Sequence, residues 1–209
     1  MAVRQFDELK SIRKELDLAF AKREIEKYFD EMELPKSEIE KRIRIAYDFQ
    51  NFFVALFSAI LLSEDSREQY ISRIQREYTR ICDKYDLRVN EPHINRLAET
   101  IVDNTMANID TEWYTSTDRT IKIAETETNN SANYTELQEA KENGYTSKTW
   151  VTMNDNKVRA THRAVDGMTI GIDETFMVGN AEMRFPCDEE MAFEYPEELA
   201  NCRCILTYS

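Results

Sequence analysis

Apolar side chains recur at three- and four-residue steps through the first part of the chain, with charged residues between them. This spacing puts the apolar positions on one face of a helix, so it predicts amphipathic helices rather than strands. The first stripe predicts a helix within residues 1–34 and consists of Phe6, Leu9, Ile12, Leu16 and Phe20.

A second helix is predicted after Leu34-Pro35 interrupts the pattern. Ser37 followed by Glu40 matches a capping box, which marks a helix start. The segment Phe52–Leu62 is apolar on most faces, so we expect this helix to lie at the centre of a bundle. Its stripe begins with Ile39, Ile43, Ala46 and Phe49.

Two further helices follow, the first of them starting near Ser66. Cys82 lies beside its stripe, where a cysteine usually acts as a small buried hydrophobe. Asp86–Pro92 is predicted to be a connector. The stripe of the third helix is Tyr70, Ile74, Tyr78 and Ile81. That of the fourth is Ile94, Leu97, Ile101 and Met106.

A fifth helix is bounded by clear start and stop signals. Ser116-Thr117-Asp118 offers N-cap side chains. Asn143-Gly144 offers a residue suited to the left-handed conformation that ends many helices.

The pattern changes after Gly144, because all four glycines lie between residues 144 and 179 and the helical period disappears. Short strands, turns and one short helix, Val158–Val165, are predicted instead. The predicted strands are 149–152, Met168–Ile172, Ala181–Phe185 and Cys204–Tyr208. The fold class is therefore α+β, with an all-helical region over residues 1–110 and a small α+β domain over residues 111–209.

The charge of the chain is strongly negative, −13 at pH 7. Residues 1–110 carry 18 Lys and Arg against 22 Asp and Glu, and residues 111–209 carry 9 against 18. A field of this sign repels phosphate backbones, so we expect DNA contact through the C-terminal part to need a counter-ion or a basic partner.

The sequence predicts a protein made in the cytosol. No signal peptide is visible at the N-terminus. The apolar run Phe52–Leu62 is far shorter than the roughly 20 residues that cross a bilayer, so no membrane span is expected. Four cysteines in 209 residues do not describe a secreted disulfide framework.

One group of side chains stands out chemically: His162, Cys187, Cys202 and Cys204, in a chain with only one other histidine and one other cysteine. Three cysteines and a histidine could complete a tetrahedral zinc site, although the spacing is not that of a zinc finger. Two alternatives stay open: reduced, partly buried thiols, and a disulfide from Cys187 to Cys202 or Cys204.

Catalysis by these residues would need a thiolate beside an oriented imidazole, a distance that the sequence does not give. Phosphate-binding, dinucleotide-binding, serine hydrolase and zinc protease motifs are absent from the sequence. Glu125 and Glu127 are two positions apart on the predicted fifth helix, so they point in different directions. No catalytic residue is predicted.

The C-terminal part resembles the Mu F-like head morphogenesis family of bacteriophages, which includes the SPP1-type minor head proteins. The residues that carry this resemblance are Arg119, Glu127, Trp150, Arg159, His162, Asp166, Gly167, Asp188, Asn201 and Arg203, with Cys202 and Cys204 beside the last two. The chain departs from the family pattern at Glu125, where Arg is frequent, and at Cys187, where Gly is frequent.

The resemblance implies a phage structural protein that is present in several copies in the virion head. Its implied partners are the portal protein, the major capsid protein or both, and its implied role is head assembly with DNA packaging or delivery. We also expect residues 1–110 to dock on a partner. Two alternatives remain: a toxin-like or nucleotide-modifying enzyme, and an adaptor outside the virion.

Two local interactions are expected in the C-terminal domain. Arg159, His162 and Asp166 should fix the Val158–Gly167 turn against the final strand. Arg203 should hydrogen-bond a carboxylate such as Asp188, because a guanidinium favours a bidentate partner.

Overall fold

The computed structural model describes residues 18–209. Of the first predicted stripe, Phe6, Leu9, Ile12 and Leu16 lie outside this range. Phe20 lies in a helix, as predicted. The long helices of the described chain are α1 (Leu18–Asp30), α2 (Lys36–Leu61), α3 (Arg67–Lys84), α4 (Glu91–Ala107) and α5 (Thr117–Glu142), with a short 3-10 helix (Glu112–Thr115) before α5.

Helix boundaries agree with the sequence signals at three ends. Ser66 caps α3 in a complete capping box with Gln69. The Ser116 hydroxyl accepts from the backbone N–H of Arg119 and caps α5. Gly144 follows the end of α5 with a φ of +79°, a conformation that glycine adopts without strain.

Two helix starts differ from the prediction. Ser37 does not cap α2, because Pro35 (φ −54°) precedes Lys36 and its carbonyl already accepts from Ile39 N–H. The predicted connector is two residues too long, because the Asn90 side chain accepts from His93 N–H and starts α4 at Glu91. Pro92 fits the first turn, where a backbone N–H has no helical partner.

The helical core lies around α2, as predicted. Phe49, Phe53 and Phe57 are fully buried along it. Each such side chain contributes about 2–3 kcal/mol by leaving water. The predicted face of α3 is buried, Cys82 included. Met106 on α4 is an exception, since 43% of its surface is exposed.

The C-terminal residues form two small antiparallel sheets and three short helices. The strands are β1 (Ser147–Val151), β2 (Thr169–Gly171), β3 (Phe176–Val178), β4 (Ala181–Met183) and β5 (Ile205–Tyr208). The helices are α6 (Ala160–Ala164), α7 (Glu189–Ala192) and α8 (Pro196–Leu199). β1 is the centre of a three-stranded sheet in the order β2-β1-β5, and β3 pairs with β4 in a hairpin.

The predicted strands are present. β2, β4 and β5 are shorter than predicted by one or two residues, whereas β1 begins two residues earlier and ends one residue earlier than predicted. Strand β3 was missed, and so were α7 and α8. The register places Trp150 opposite Leu206 and Lys148 opposite Tyr208. The architecture is α+β, which confirms the predicted fold class.

Helix α5 belongs to both halves of the molecule. Its residue Ala124 packs in the helical core, and Leu137 packs in the core of the C-terminal sheets with Trp150 and Phe185. A third core joins the start of the described chain to its end, through Ala21, Ile25, Phe29, Ile121, Met153 and Ile205. The division at residue 110 remains a prediction. Among residues 18–209, no helix is both long and apolar enough to cross a bilayer.

Candidate functional site

His162, Cys202 and Cys204 meet in the interior of the C-terminal part. The Nδ1 atom of His162 lies 3.4 Å from Cys204 Sγ and 3.5 Å from Cys202 Sγ. All three side chains are buried, with at most 3% of their surface exposed. One nitrogen therefore faces two thiols in a site closed to bulk solvent.

The local backbone brings these side chains together. His162 lies in the short helix α6, and the two cysteines come just before β5. Asn201 adopts a φ of +57°, in the left-handed region that asparagine tolerates better than most residues. This turn directs the following Cys-Arg-Cys segment back beneath α6.

The other ring nitrogen of His162 is held by a carboxylate. Nε2 lies 3.1 Å from Glu198 Oε2, and the same oxygen accepts from the Thr161 hydroxyl over 2.8 Å. A carboxylate oxygen accepts a hydrogen bond from Nε2–H, and in this tautomer the lone pair of Nδ1 is directed at the thiols. Burial lowers the pKa of His162, but Cys202 and Glu198 raise it, and the net shift is upward.

Cys187 is close to this group but is not one of its three members. Its thiol lies 3.6 Å from the Cys202 carbonyl oxygen and interacts with the Cys202 thiol. Hydrogen bonds with Cys187 and Cys204 lower the pKa of Cys202, and the same bonds raise the pKa of both partners. All four cysteines are free thiols, so the structure contains neither of the two disulfides considered from the sequence.

The backbone conformation at Cys187 is one that favours glycine. Its φ is +67°, in the left-handed region that glycine occupies at little cost. A non-glycine residue in this conformation costs about 1 kcal/mol or more. Glycine, the residue expected here from the resemblance, is thus the one that the turn favours.

Three asparagines on α5 hold the backbone around the cysteines; we call Asn129, Asn130 and Asn133 the asparagine row. The side-chain amide of Asn129 donates to the Cys202 carbonyl over 3.0 Å, and that of Asn130 donates to the Cys187 carbonyl. Asn133 donates to the carbonyls of Pro186 (2.9 Å) and Cys204 (3.5 Å). These bonds help to satisfy the backbone carbonyls around the cysteines.

The asparagine row was not predicted from the sequence. Its members carry no charge and no apolar stripe, yet all three are almost fully buried. The available sequence signal was a group of asparagines at positions i, i+1 and i+4 of a predicted helix.

Arg203 hydrogen-bonds carboxylates, as predicted, but the expected partner Asp188 is wrong. Arg203 Nη2 donates to Asp155 Oδ2 over 2.6 Å, and Nη1 donates to Glu31 Oε2 over 3.3 Å. Asp188 instead accepts two bonds from the Arg184 guanidinium, each 2.8 Å long. Arg184 lies four residues before Asp188, so the local partner is already in place.

The expected cluster around the α6 turn forms in part. Arg159 donates to the Ala200 carbonyl, and His162 reaches the cysteines before β5. Asp166 differs, because its carboxylate accepts from Thr152 N–H (2.7 Å) just after β1. Gly167, with a φ of +72°, donates to the Trp150 carbonyl over 2.8 Å. The turn is thus fixed against the central strand as well as against the segment before β5.

The remaining motif residues are structural. Arg119 is buried, donates to the Thr105 hydroxyl over 2.7 Å and covers the Phe57 ring. Burial lowers its pKa to about 10. Trp150 is fully buried, with its ring centroid 5.7 Å from that of His162.

Glu127 belongs to a second buried network. Its Oε2 lies 2.6 Å from His93 Nε2 and accepts from the Tyr78 hydroxyl over 3.0 Å. The other ring nitrogen of His93 lies 3.6 Å from Glu189 Oε2. Glu125 faces Lys122 instead (3.1 Å), so the two glutamates point in different directions, as predicted.

Two groups in the described chain have donor atoms close enough to share one metal ion: His162 with Cys202 and Cys204, and His93 with Glu127 and Glu189. In the second group each ring nitrogen of His93 faces a different carboxylate, an arrangement typical of an ion-pair chain. In the first group a single nitrogen faces both thiols.

The space beside the first group is small. A cavity of about 20 Å³ is bordered by all three members and by Met153 and Val158. This volume holds about one water molecule. A nucleophilic thiol needs room for its substrate, so the geometry favours a structural role for this site over catalysis.

Comparison with known proteins identifies the family. The family model described as phage Mu protein F like protein matches residues 69–207, which extends from α3 to β5 and covers more than half of the chain. No curated protein and no solved structure gives a match. The matched range contains both buried networks, the asparagine row and the resemblance residues proposed from the sequence. The chain belongs to the phage Mu protein F like family.

Proposed function

We propose that this protein is a minor structural component of a bacteriophage head, associated with the portal protein and acting in head assembly and in DNA packaging or delivery. The observation that supports it is the family match over residues 69–207. Head morphogenesis is the role that this family suggests, and the place at the portal is our proposal.

The buried chemistry of the C-terminal part supports a scaffold rather than an enzyme. Its conspicuous polar groups, His162, Asp188 and Arg203, bond to other residues of the chain and are at most 7% exposed. Buried polar networks that are fully bonded rigidify a fold. We therefore propose a non-enzymatic role, in which the networks keep the shape of a docking module.

The charge of the chain supports a protein partner. At −13, it is repelled by DNA at long range, so we propose that any effect on packaged DNA is exerted through the portal. The proposed docking region is residues 1–110. A truncated chain that lacks residues 1–110 is not a suitable test, because Ala124 of α5 packs into the core formed by α2, α3 and α4.

Co-purification of the full chain with the portal protein of the same phage tests the proposal. The chain is expressed with the portal, with the major capsid protein, and with the portal of an unrelated phage as control. We expect a complex with the cognate portal at a fixed stoichiometry and several copies of the chain in purified heads. Absence of the chain from heads would contradict the proposal.

Lysine cross-linking of that complex locates the docking surface without disturbing the core. Lys22 and Lys36 are exposed on α1 and α2, and Lys122 and Lys157 are exposed in the C-terminal part. We expect portal cross-links at the first pair. Cross-links confined to the second pair would show that the docking surface lies in residues 111–209. The proposed association with the portal would still hold.

A further inference from the structure

We propose that His162, Cys202 and Cys204 bind one Zn²⁺ ion, through Nδ1 and the two Sγ atoms, with a water molecule as the fourth ligand. The proposal goes beyond head assembly, since it concerns how the C-terminal part is held together. It rests on the distances from His162 Nδ1 to the two sulfurs, the tautomer of His162, the adjacent cavity and the nature of the donor atoms.

The distances match those of a tetrahedral zinc site. Zinc lies about 2.3 Å from a cysteine sulfur and about 2.0–2.1 Å from a histidine nitrogen. At a tetrahedral angle, these lengths put the nitrogen about 3.5 Å from each sulfur. The observed separations of His162 Nδ1 from the two sulfurs are 3.4 Å and 3.5 Å. The side chains therefore need little movement to bind the ion.

The second partner of His162 is the one that zinc-binding histidines usually have. Such histidines donate their other ring N–H to a carboxylate or a carbonyl, which fixes the tautomer and the ring orientation. Glu198 occupies this position, 3.1 Å from Nε2, and is itself oriented by the Thr161 hydroxyl.

The cavity and the fourth ligand fit together. The space of about 20 Å³ borders all three proposed ligands and holds about one water molecule. Cys187 does not border it and lies outside the group of three. We therefore assign the fourth position to water and give Cys187 the role of a neighbour that contacts Cys202.

The donor atoms select the metal. Thiolate sulfur and imidazole nitrogen suit zinc, whereas Mg²⁺ and Ca²⁺ require oxygen ligands. Binding breaks the two S–H bonds and releases up to two protons to solvent. Zn²⁺ loses hydration waters, forms two Zn–S bonds and one Zn–N bond, and keeps one Zn–O bond to water. No oxidant or reductant takes part.

The expected effect is to join α6 to the segment before β5. These elements lie about 40 residues apart in sequence, and the ion would tie them at one point. Because the unfolded chain lacks a preformed site, binding free energy adds to folding stability. The bound ion would then act as a structural cross-link within the small C-terminal core.

Elemental analysis of the full chain, purified without chelator, tests the site directly. We expect about one zinc per chain in the wild type. Replacement by Co²⁺ should produce thiolate-to-cobalt absorption bands, and Zn²⁺ added to the metal-free protein should raise Tm by several degrees. A folded wild-type chain that holds no zinc and shows no change of Tm with added Zn²⁺ would overturn the proposal.

Substitutions identify the ligands. Cys204→Ser and His162→Gln should lose the zinc and the cobalt bands. Cys187→Gly and Cys82→Ala are matched controls: each removes a buried thiol, yet both should keep one ion. Loss of the ion in Cys187→Gly would show that Cys187 is a ligand and would refute the water-bound site.

If the ligand variants do not fold, the metal-free wild type gives the answer. A chelator should lower the Tm of the zinc-bound wild type, and Zn²⁺ added back to the metal-free protein should restore it, whereas Ca²⁺ and Mg²⁺ should not. Equal recovery with all three ions would contradict a site made of sulfur and nitrogen. Portal binding is measured separately, so failure of the zinc site and failure of the proposed function are distinguishable.

Discussion

Tyr28 on α1 donates its hydroxyl hydrogen to the carbonyl oxygen of Cys202, 174 residues further along the chain, over 2.9 Å. The same hydroxyl accepts from the amide of Asn129 over 2.8 Å. Burial raises the pKa of Tyr28 well above 10, so the hydroxyl keeps its proton. A helix of the N-terminal part thus completes the surroundings of the cysteines.

Tyr28→Phe should lower the free energy of unfolding by about 1–2 kcal/mol, because it leaves two buried polar partners with a bond fewer. Denaturant unfolding of both proteins measures the effect. Tyr208→Phe is the matched control, since the Tyr208 hydroxyl is buried but makes no hydrogen bond within residues 18–209. We expect that substitution to be neutral or stabilising. Equal losses in the two variants would contradict the role of the Tyr28 bond.

Arg203→Ala should lower the free energy of unfolding by about 1–2 kcal/mol, and Tm by several degrees. The guanidinium is 6% exposed, while Asp155 and Glu31 are about one third exposed, so solvent screening reduces the pair energy. A double-mutant cycle with Asp155→Ala measures the coupling. Arg67→Ala, which breaks a solvent-exposed pair with Asp103 on the surface, should leave Tm unchanged. Equal Tm losses in the two arginine variants would argue against a special role for Arg203.

His93 should make stability fall as the pH rises. Burial lowers its pKa, but Glu127 and Glu189 raise it more, and the net value is about 9, against 6.5 for an ordinary histidine. The folded state therefore binds the proton more tightly than the unfolded state. This contribution is complete below about pH 6.5 and is lost as the pH rises through about 9.

Unfolding free energies of the wild type and His93→Gln, measured from pH 6 to pH 10, check this. We expect the wild type to lose more, by on the order of 1–3 kcal/mol. Glu189 acts in the same direction, because burial and Glu127 raise its pKa to about 7. The variant lacks the histidine charge, so parallel curves would rule out titration of His93.

Lys148→Met should stabilise the protein at pH 7. Lys148 is fully buried on β1, and its Nζ makes no hydrogen bond to any residue from 18 to 209. Burial lowers its pKa from 10.5 to about 8. A depressed pKa means that stability is lost as the pH falls through about 8, so the full cost applies at pH 7.

We expect a gain of about 1–3 kcal/mol at pH 7 and a smaller gain above pH 10. Lys36→Met is the control, because Lys36 is 90% exposed and should show no gain. A loss of stability in Lys148→Met would mean that the cation–π contact of Nζ with the Phe176 ring, 5.7 Å from its centroid, outweighs the cost of burying the ammonium.

The long helices could be predicted from the sequence because their apolar residues keep a regular spacing over many turns. The stripe of α3 and the caps at Ser66 and Ser116 are local signals, and the structure confirms them. Strand β3 could not be predicted in the same way. It has only three residues, and its pairing with β4 decides its structure.

The residues of the candidate site could be predicted from their type, but their interaction partners could not. His162, Cys202 and Cys204 stood out because cysteine and histidine are rare in this chain. The partner of Arg203 depends on how distant segments pack, and the sequence contains several carboxylates that could serve. The position of Cys187 also depends on packing, since its backbone turn and its distance from the ring of His162 are tertiary features.

The third core has a consequence for how the molecule opens. It is built from α1 at one end of the described chain and from β5 at the other, with Ile121 of α5 between them. Neither α1 nor β5 can detach from this core without exposing the apolar side chains that the other contributes to it. The amides of Leu18–Asp30 and Ile205–Tyr208 should therefore exchange with solvent deuterium as one cooperative unit, despite their separation in sequence.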